Sequence, residues 1–230
     1  MEKMRFNPFN QIHKGLRALL YHTALQLQHC HFWDPTQADA ALEQVKEVIT
    51  LFEEHAVVED EQIFPLLQSY TPAIVADFEQ QHDTDHQLGT QLHHCINEVK
   101  GASSPEARQQ AGYALSLAFQ DFTAFNLTHM NAEENVVNKA LWLHYTDEQL
   151  MEKQRAIAAK VNPQLNDRYA FWMLKGLSAP EIVQWFRIVQ QTAPAPVWAN
   201  LKRIAKTALP AAVVFDIEAA ISTSRLSIVH

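Results

Sequence analysis

The sequence is poor in glycine. It has 5 glycines among 230 residues, beside 10 prolines and 47% apolar residues. Sandwiches, barrels and nucleotide-binding folds with glycine-rich loops need many tight turns, so the scarcity of glycine disfavours these classes. The same composition supplies packed helices, and we expect an all-α protein. The chain is long enough for one large domain or for one domain with an appendage.

Cysteine, long apolar runs and positive charge are also scarce. Two cysteines, Cys30 and Cys95, are too few for a disulfide framework or for a cysteine-based zinc or iron–sulfur site, which favours the reducing cytoplasm. No run approaches the roughly 18 apolar residues of a membrane span, so we expect no membrane helix and no signal peptide. A net charge of −8 disfavours nucleic acid or an anionic membrane as a partner.

Proline marks the starts of four long helices. A residue that can cap a helix precedes proline at Asn7-Pro8, Thr71-Pro72 and Ser104-Pro105, and proline is favoured in the first helical turn. A fourth start follows Asp34-Pro35. Because short connections join these helices, the pattern predicts an antiparallel up-down-up-down four-helix bundle. The predicted helices span about 8–30, 37–69, 72–100 and 105–144.

The chain changes character near Tyr145. Frequent prolines cut the remainder into shorter predicted helices. Residues 1–145 carry 8 basic and 19 acidic side chains, net −11, whereas residues 146–230 carry 10 basic and 7 acidic side chains, net +3. We therefore expect a bundle domain over 1–145 and a helical C-terminal extension over 146–230. The extension has no ligand-like motif, so we expect it to contact a protein partner or a second copy of the chain, or to cover apolar bundle surface.

Two helices of the predicted bundle carry the same motif. Glu59 follows His55 by four positions and a second acid comes next, and His129 and Glu133 repeat the pattern. A spacing of four places both side chains one turn apart on one helix face, where both can point at one metal. Apolar residues continue each face, so we expect the motif side chains in the core.

The other two helices supply histidines at matching heights. His13 lies on the first helix, and His82 and His86 form a pair four apart on the third. Residues on antiparallel neighbours are level when the turn lies midway between them. The midpoints of 13 and 55, of 59 and 82, and of 82 and 129 fall within about two residues, or roughly 3 Å, of the predicted turns. The converging set is His13, His55, Glu59, His82, His86, His129 and Glu133.

This set has the composition of a metal site. Two carboxylates and five imidazoles buried together without a cation would cost several kcal/mol each or take up protons. A metal-free bundle with hydrogen-bonded core groups is therefore the weaker alternative. Imidazole and carboxylate donors without thiolate suit iron or manganese better than structural zinc, and two bridging carboxylates argue for two metals. We favour a di-iron centre, with manganese or zinc as substitutes.

The motifs resemble those of the hemerythrin-like family of His/Glu cation-binding four-helix bundles. The similarity covers about residues 10–140. It implies a non-haem di-iron protein that binds O2 or NO, or that senses redox or iron status. The segments that carry it are IHKGLR, HAVVEDEQIFPLL, HDTDH and HMNAEE. The ligands it implies are His13 and His55 on one iron, His82, His86 and His129 on the other, and Glu59 and Glu133 as bridges.

Three alternatives stay open. Acids stand both four and five positions after His129, so Glu134 is an alternative to Glu133; we favour Glu133 because it repeats the spacing of His55 and Glu59. Related domains sometimes lack a second histidine on the third helix, so His86 is a weaker candidate than His82. The alternative function is a di-iron enzyme, either an NO or peroxide reductase or an iron donor for the repair of iron–sulfur centres.

Overall fold

The computed structural model describes residues 5–223, and every regular element in this range is helical. Two of the long helices contain π-helical turns. Helix α2 continues into a π turn (Glu59–Ile63) and a 3-10 turn (Phe64–Leu66), and α4 continues through a π turn (Glu133–Val137) into α5. The helices are α1 (Asn10–His29), α2 (Pro35–Val58), α3 (Pro72–Gly101), α4 (Pro105–Ala132), α5 (Asn138–His144), α6 (Asp147–Lys160), α7 (Pro163–Gly176), α8 (Ala179–Thr192), α9 (Ala195–Ala208) and α10 (Ala211–Thr223).

The predicted fold is confirmed as an all-α, antiparallel four-helix bundle with a helical C-terminal extension. The connections at 30–34, 67–71 and 102–104 are short, so successive helices among α1 to α4 run in opposite directions. Within residues 5–223, no helix combines the length and the apolar character needed to cross a membrane.

Side-chain caps fix where two of the bundle helices begin. Ahead of α2, the carboxylate of Asp34 accepts hydrogen bonds from the backbone N–H groups of Thr36 and Gln37. Ahead of α4, the hydroxyl of Ser104 accepts one from the N–H of Ala107. Each cap satisfies an N–H group that lacks an intrahelical partner and stabilises the helix by about 1 kcal/mol. The caps thereby set the heights of the core residues along each helix.

The π turns change which residues face the core. A π turn holds one residue more than an α turn, and one residue corresponds to about 100° of rotation. After Glu133 the buried position is therefore Val137, whereas Val136 is 42% exposed. The sequence-based helices over 37–69 and 105–144 did not include these interruptions.

The described chain divides into two compact units. Unit 1 comprises residues 5–10 and 19–160, and unit 2 comprises residues 11–18 and 161–223. Helix α6 belongs to unit 1, where Leu150 and Ile157 pack in one apolar core with Phe64 and Val137. The division into a bundle domain over 1–145 and an extension over 146–230 stays a prediction.

Unit 2 has an apolar core of its own, which includes Leu174, Phe186 and Ile204. Within this unit, glycine allows segment 11–18 to approach α7 closely. A Cβ atom at Gly176 would lie 2.1 Å from the carbonyl oxygen of Lys14. No side chain fits in that space, so the contact requires glycine at this position.

Candidate metal centre

Two buried carboxylates stand at equivalent positions on α2 and α4. Glu59 is the first residue of the π turn after α2, four positions beyond His55. Glu133 is the first residue of the π turn after α4, four positions beyond His129. The residues Glu59 and Glu133 are 2% and 0% exposed. The four-residue spacing and the apolar face around it therefore place both motifs inward, as the sequence predicts.

Four donors from three helices converge in unit 1. We call Glu59, His82, His129 and Glu133 the His82 group. Each of these residues offers one ligand atom, and these atoms lie within 4.8 Å of one another. All four side chains are buried. Such spacing matches donors that surround one metal ion at about 2.0–2.2 Å.

The carboxylate of Glu59 faces two different histidines. Its Oε1 lies 3.1 Å from Nε2 of His55, and its Oε2 lies 3.4 Å from Nε2 of His82. On α4, Oε1 of Glu133 lies 3.4 Å from Nε2 of His129. Glu59 therefore presents one oxygen to each of two imidazoles.

A second group of donors in unit 1 consists of His55, Glu59 and Glu133, whose ligand atoms lie within 4.8 Å of one another. Both carboxylates are common to the two groups, so five of the seven predicted ligands are brought together in this unit. His13 lies on α1 in the segment 11–18 of unit 2, and its side chain is fully buried. Its role as a ligand stays a prediction.

His86 is not brought to either group. The buried stripe of α3 passes from Phe78 to His82 in four residues and from His82 to Asp85 in three. His86 is one residue beyond Asp85, so it lies about 100° from Asp85 around the helix axis, on the exposed side of the stripe. Its side chain is 72% exposed, with Nδ1 3.8 Å from Oε1 of Glu53. The sequence prediction assumed that the four-residue spacing continues beyond His82, whereas the stripe changes to three.

Glu134 also lies outside both groups. Its Oε2 accepts a hydrogen bond from Nδ2 of Asn7 at 3.3 Å, and its side chain is partly exposed. Among the described residues, the metal-binding groups contain neither cysteine nor any of the other histidines. The structure exposes six histidines that the sequence analysis left outside the ligand set: His22, His29, His31, His93, His94 and His144.

Two hydrogen bonds orient the imidazoles of the His82 group. Nδ1 of His82 lies 2.8 Å from Oδ1 of Asp60, and Nδ1 of His129 lies 2.9 Å from Oε1 of Gln81. An acceptor at Nδ1 holds the proton on that nitrogen and leaves Nε2 for a metal. Asp60 directly follows Glu59 and Gln81 directly precedes His82, so adjacency to a ligand is the only sequence signal for either role.

The environment of His82 favours its protonated form when no metal is bound. Burial lowers the pKa of His82, but hydrogen bonds to Glu59 and Asp60, together with the charges of both carboxylates, outweigh this effect and raise the pKa to about 9. A cation at Nε2 would replace that proton as the positive charge beside Glu59.

The donor set fits a bound metal cation. Imidazole and carboxylate donors without thiolate suit iron or manganese, and a cation offsets the cost of burying the carboxylates. Residues 7–141 match the hemerythrin HHE cation-binding domain. The chain belongs to that family. No curated protein and no solved structure matches the chain. Membership of the hemerythrin HHE family and the buried His/Glu groups together support metal binding, and they confirm the resemblance noted from the motifs.

Proposed function

We propose that this hemerythrin HHE protein is a non-haem di-iron protein that binds a small diatomic molecule, O2 or NO, or that senses redox or iron status. The observation that carries the proposal is the position of Glu59, whose two oxygens face Nε2 of His55 and Nε2 of His82 at 3.1 and 3.4 Å. A single metal would leave one of these imidazoles without a role. Two metals use both of them.

The two groups of donors in unit 1, together with the ligand role that the family resemblance implies for His13, support an equal division of ligands. We assign His13 and His55 to one iron and His82 and His129 to the other, with Glu59 and Glu133 shared. Each iron then has four protein donors, which leaves positions for an exogenous ligand at a six-coordinate metal. Manganese or zinc could occupy the same donors, since neither requires a thiolate.

Aromatic rings around the donors favour a small, neutral ligand. Phe64 stacks on His82 with ring centroids 5.3 Å apart, and Phe125 lies nearly parallel to His129 at 5.9 Å. Phe52, one turn before His55, and Phe122, two turns before His129, form an edge-to-face pair at 5.4 Å. Such apolar walls accept O2 or NO readily and exclude large or strongly charged substrates.

Gas titration of the iron-loaded protein tests the proposal. The chain is loaded with ferrous iron without oxygen, desalted, titrated with NO, and followed by visible and infrared spectroscopy. We expect a saturable spectral change that reverses when NO is removed. Continuous consumption of NO or peroxide over many equivalents would contradict a binding role and support the di-iron enzyme. His94→Ala, which alters an exposed histidine on α3, is the control variant.

The proposal also covers location and partners. We place the protein in the cytoplasm, and this is supported by the two free cysteines Cys30 and Cys95.

We propose a homodimer or protein contact through residues 146–230. Light scattering of the full chain, with and without a substitution of the exposed Phe215, measures the mass in solution and tests that contact. If the substitution leaves the mass unchanged, the surface around Phe215 does not form the contact.

A further inference from the structure

Asp85 is a buried acid that belongs to neither metal-binding group. Among the described residues three carboxylate side chains are buried, those of Glu59, Asp85 and Glu133, and Asp85 is only 6% exposed. The two glutamates are accounted for as metal ligands. A buried carboxyl group is costly without a partner, so the position of Asp85 needs a separate explanation.

Asp85 occupies the layer of the bundle next to the His82 group. It follows His82 by three residues on α3, and Asn126 precedes His129 by three residues on α4. Because α3 and α4 are antiparallel, the pair Asp85 and Asn126 lies one turn away from the pair His82 and His129. The side-chain contact agrees with this register: Nδ2 of Asn126 donates to Oδ1 of Asp85 at 2.5 Å.

The carboxyl group of Asp85 is near enough to the metal-binding histidines to interact with them electrostatically. Side chains on a helix tilt toward its N-terminus, which for Asp85 is the direction of His82. Three imidazoles act electrostatically on the carboxyl group: those of His129, His82 and His55, which lie on three different helices. Asp85 is therefore central in the bundle and close to the ligands of both proposed metals.

Asn126 holds the carboxyl group of Asp85 through one of its two oxygens. The amide also donates to the backbone oxygen of Phe122 at 3.1 Å, which fixes the amide in place. It engages Oδ1 of Asp85 and leaves Oδ2 for another partner. Since Asp85 lies outside both groups of donors, whose ligand atoms are within 4.8 Å of one another, direct metal ligation does not explain it.

Burial is the main influence on the ionisation of Asp85. Burial raises the pKa of Asp85, and the hydrogen bond from Asn126 and the three imidazoles oppose this only in part. O2, NO and azide carry no proton, so only the protonated carboxyl group of Asp85 can donate a hydrogen bond to them, and burial favours that form.

We propose that the carboxyl group of Asp85, held by Asn126, forms a hydrogen bond with the small exogenous ligand bound at the di-iron centre. The inference rests on the proposed function, since it requires metal and a position for an exogenous ligand. It assigns a ligand-contacting role to Asp85 on α3. The neighbouring residue, His86, is the one that the sequence predicted as a third imidazole ligand. The ligand that Asp85 would contact is a diatomic or triatomic molecule that can accept a hydrogen bond, such as O2, NO or azide.

Azide binding to the oxidised, iron-loaded chain tests the role of Asp85. Asp85→Leu removes the polar group at similar size, and Asp85→Asn keeps a hydrogen-bonding side chain of the same shape. Asp83→Leu and Asp83→Asn are matched controls, because Asp83 is exposed two residues earlier on α3. The measurements are iron per chain, azide affinity, and the infrared stretch of bound azide.

We expect all four variants to keep their iron. Asp85→Leu should bind azide about tenfold more weakly, as expected for a lost buried hydrogen bond, while Asp85→Asn stays within about threefold of the unaltered chain and shifts the azide stretch. Unaltered affinity and stretch in both Asp85 variants would overturn the proposal. Loss of iron from Asp85→Asn would overturn it as well, because Asp85 would then be needed to hold the metal. If Asp85→Leu does not fold, the stretch in Asp85→Asn decides alone.

Failure of this inference is separable from failure of the proposed function. If the unaltered chain retains no iron or shows no azide spectrum, the di-iron proposal fails. If the unaltered chain binds iron and azide and the Asp85 variants match it, only the role of Asp85 fails.

Discussion

Glu59 and Glu133 are equivalent in local structure: each follows a histidine by four residues, and each is the first residue of a π-helical turn. A π turn widens the helix and leaves backbone groups outside the regular α pattern, which is why such turns are frequent at functional sites. Two helices that share this feature at the same level of a bundle place two carboxylates face to face in the core. This relationship supports a centre with two shared bridges.

Removing the charge of one bridge should release both metals. Glu59→Gln and Glu133→Gln keep the side-chain size and delete a negative charge that both ions share, whereas His129→Ala removes one donor of one ion. We expect near-complete loss of iron from the two glutamine variants and retention of about one iron per chain in His129→Ala, measured by elemental analysis after desalting.

Glu61→Gln is the control for the bridge variants, because Glu61 is exposed in the same π turn as Glu59. Glu134→Gln is the corresponding control on α4. Normal iron content in Glu133→Gln combined with loss in Glu134→Gln would show that the acid five positions after His129 is the bridge.

Replacing His86 should leave the metal content unchanged. Its side chain is 72% exposed beside Glu53 and faces away from the buried stripe of α3. His86→Ala is therefore expected to keep both irons and the same visible spectrum, whereas His82→Ala loses at least one iron. A His86→Ala protein that loses iron to the same extent as His82→Ala would restore His86 as a ligand.

Asp60 should strengthen metal binding without touching the metal. Its Oδ1 lies 2.8 Å from Nδ1 of His82 and holds the imidazole with Nε2 inward. Loss of such an orienting partner typically weakens metal affinity about 10–100-fold. Competition with a chelator should show this loss for Asp60→Ala and a much smaller one for Asp60→Asn. Equal retention of iron in both variants and in Glu61→Ala would contradict the orienting role.

Metal binding should release protons and weaken in acid. In the metal-free protein the carboxylates of Glu59 and Asp60 outweigh the effect of burial and raise the pKa of His82 to about 9. The imidazole is therefore protonated at neutral pH, and a metal must displace that proton. Metal affinity is expected to fall as the pH falls below about 9 and to change less above it. An indicator dye in weak buffer should record at least one proton released per chain at neutral pH, and fewer for His82→Ala. Binding without proton release would contradict this assignment.

The sequence predicted the four-helix bundle and the level of the site because simple periodicities determine both. Apolar stripes and proline-marked starts define four long helices, and the turn midpoints place His55, Glu59, His82, His129 and Glu133 at one height. These inferences need only the rise of an α-helix and the antiparallel order of neighbours.

The details that the sequence did not predict depend on local rotation about each helix axis. Both π turns rotate the residues that follow them about the helix axis. No proline or glycine stands near Glu133 in the sequence to indicate this change. On α3, positions three and four residues after His82 are both compatible with a buried stripe, and only packing against α4 selects Asp85 over His86. The pairing of Asp85 with Asn126 follows from the same packing.

The most direct test of the di-iron proposal is the number of metal ions held by each chain. The protein is loaded anaerobically with excess ferrous iron and desalted, and iron and protein are quantified in the same sample. The positions of Glu59 and Glu133 predict two irons per chain and a bridged charge-transfer spectrum after oxidation. A stable content of one iron, or of none, would contradict a centre with shared carboxylates.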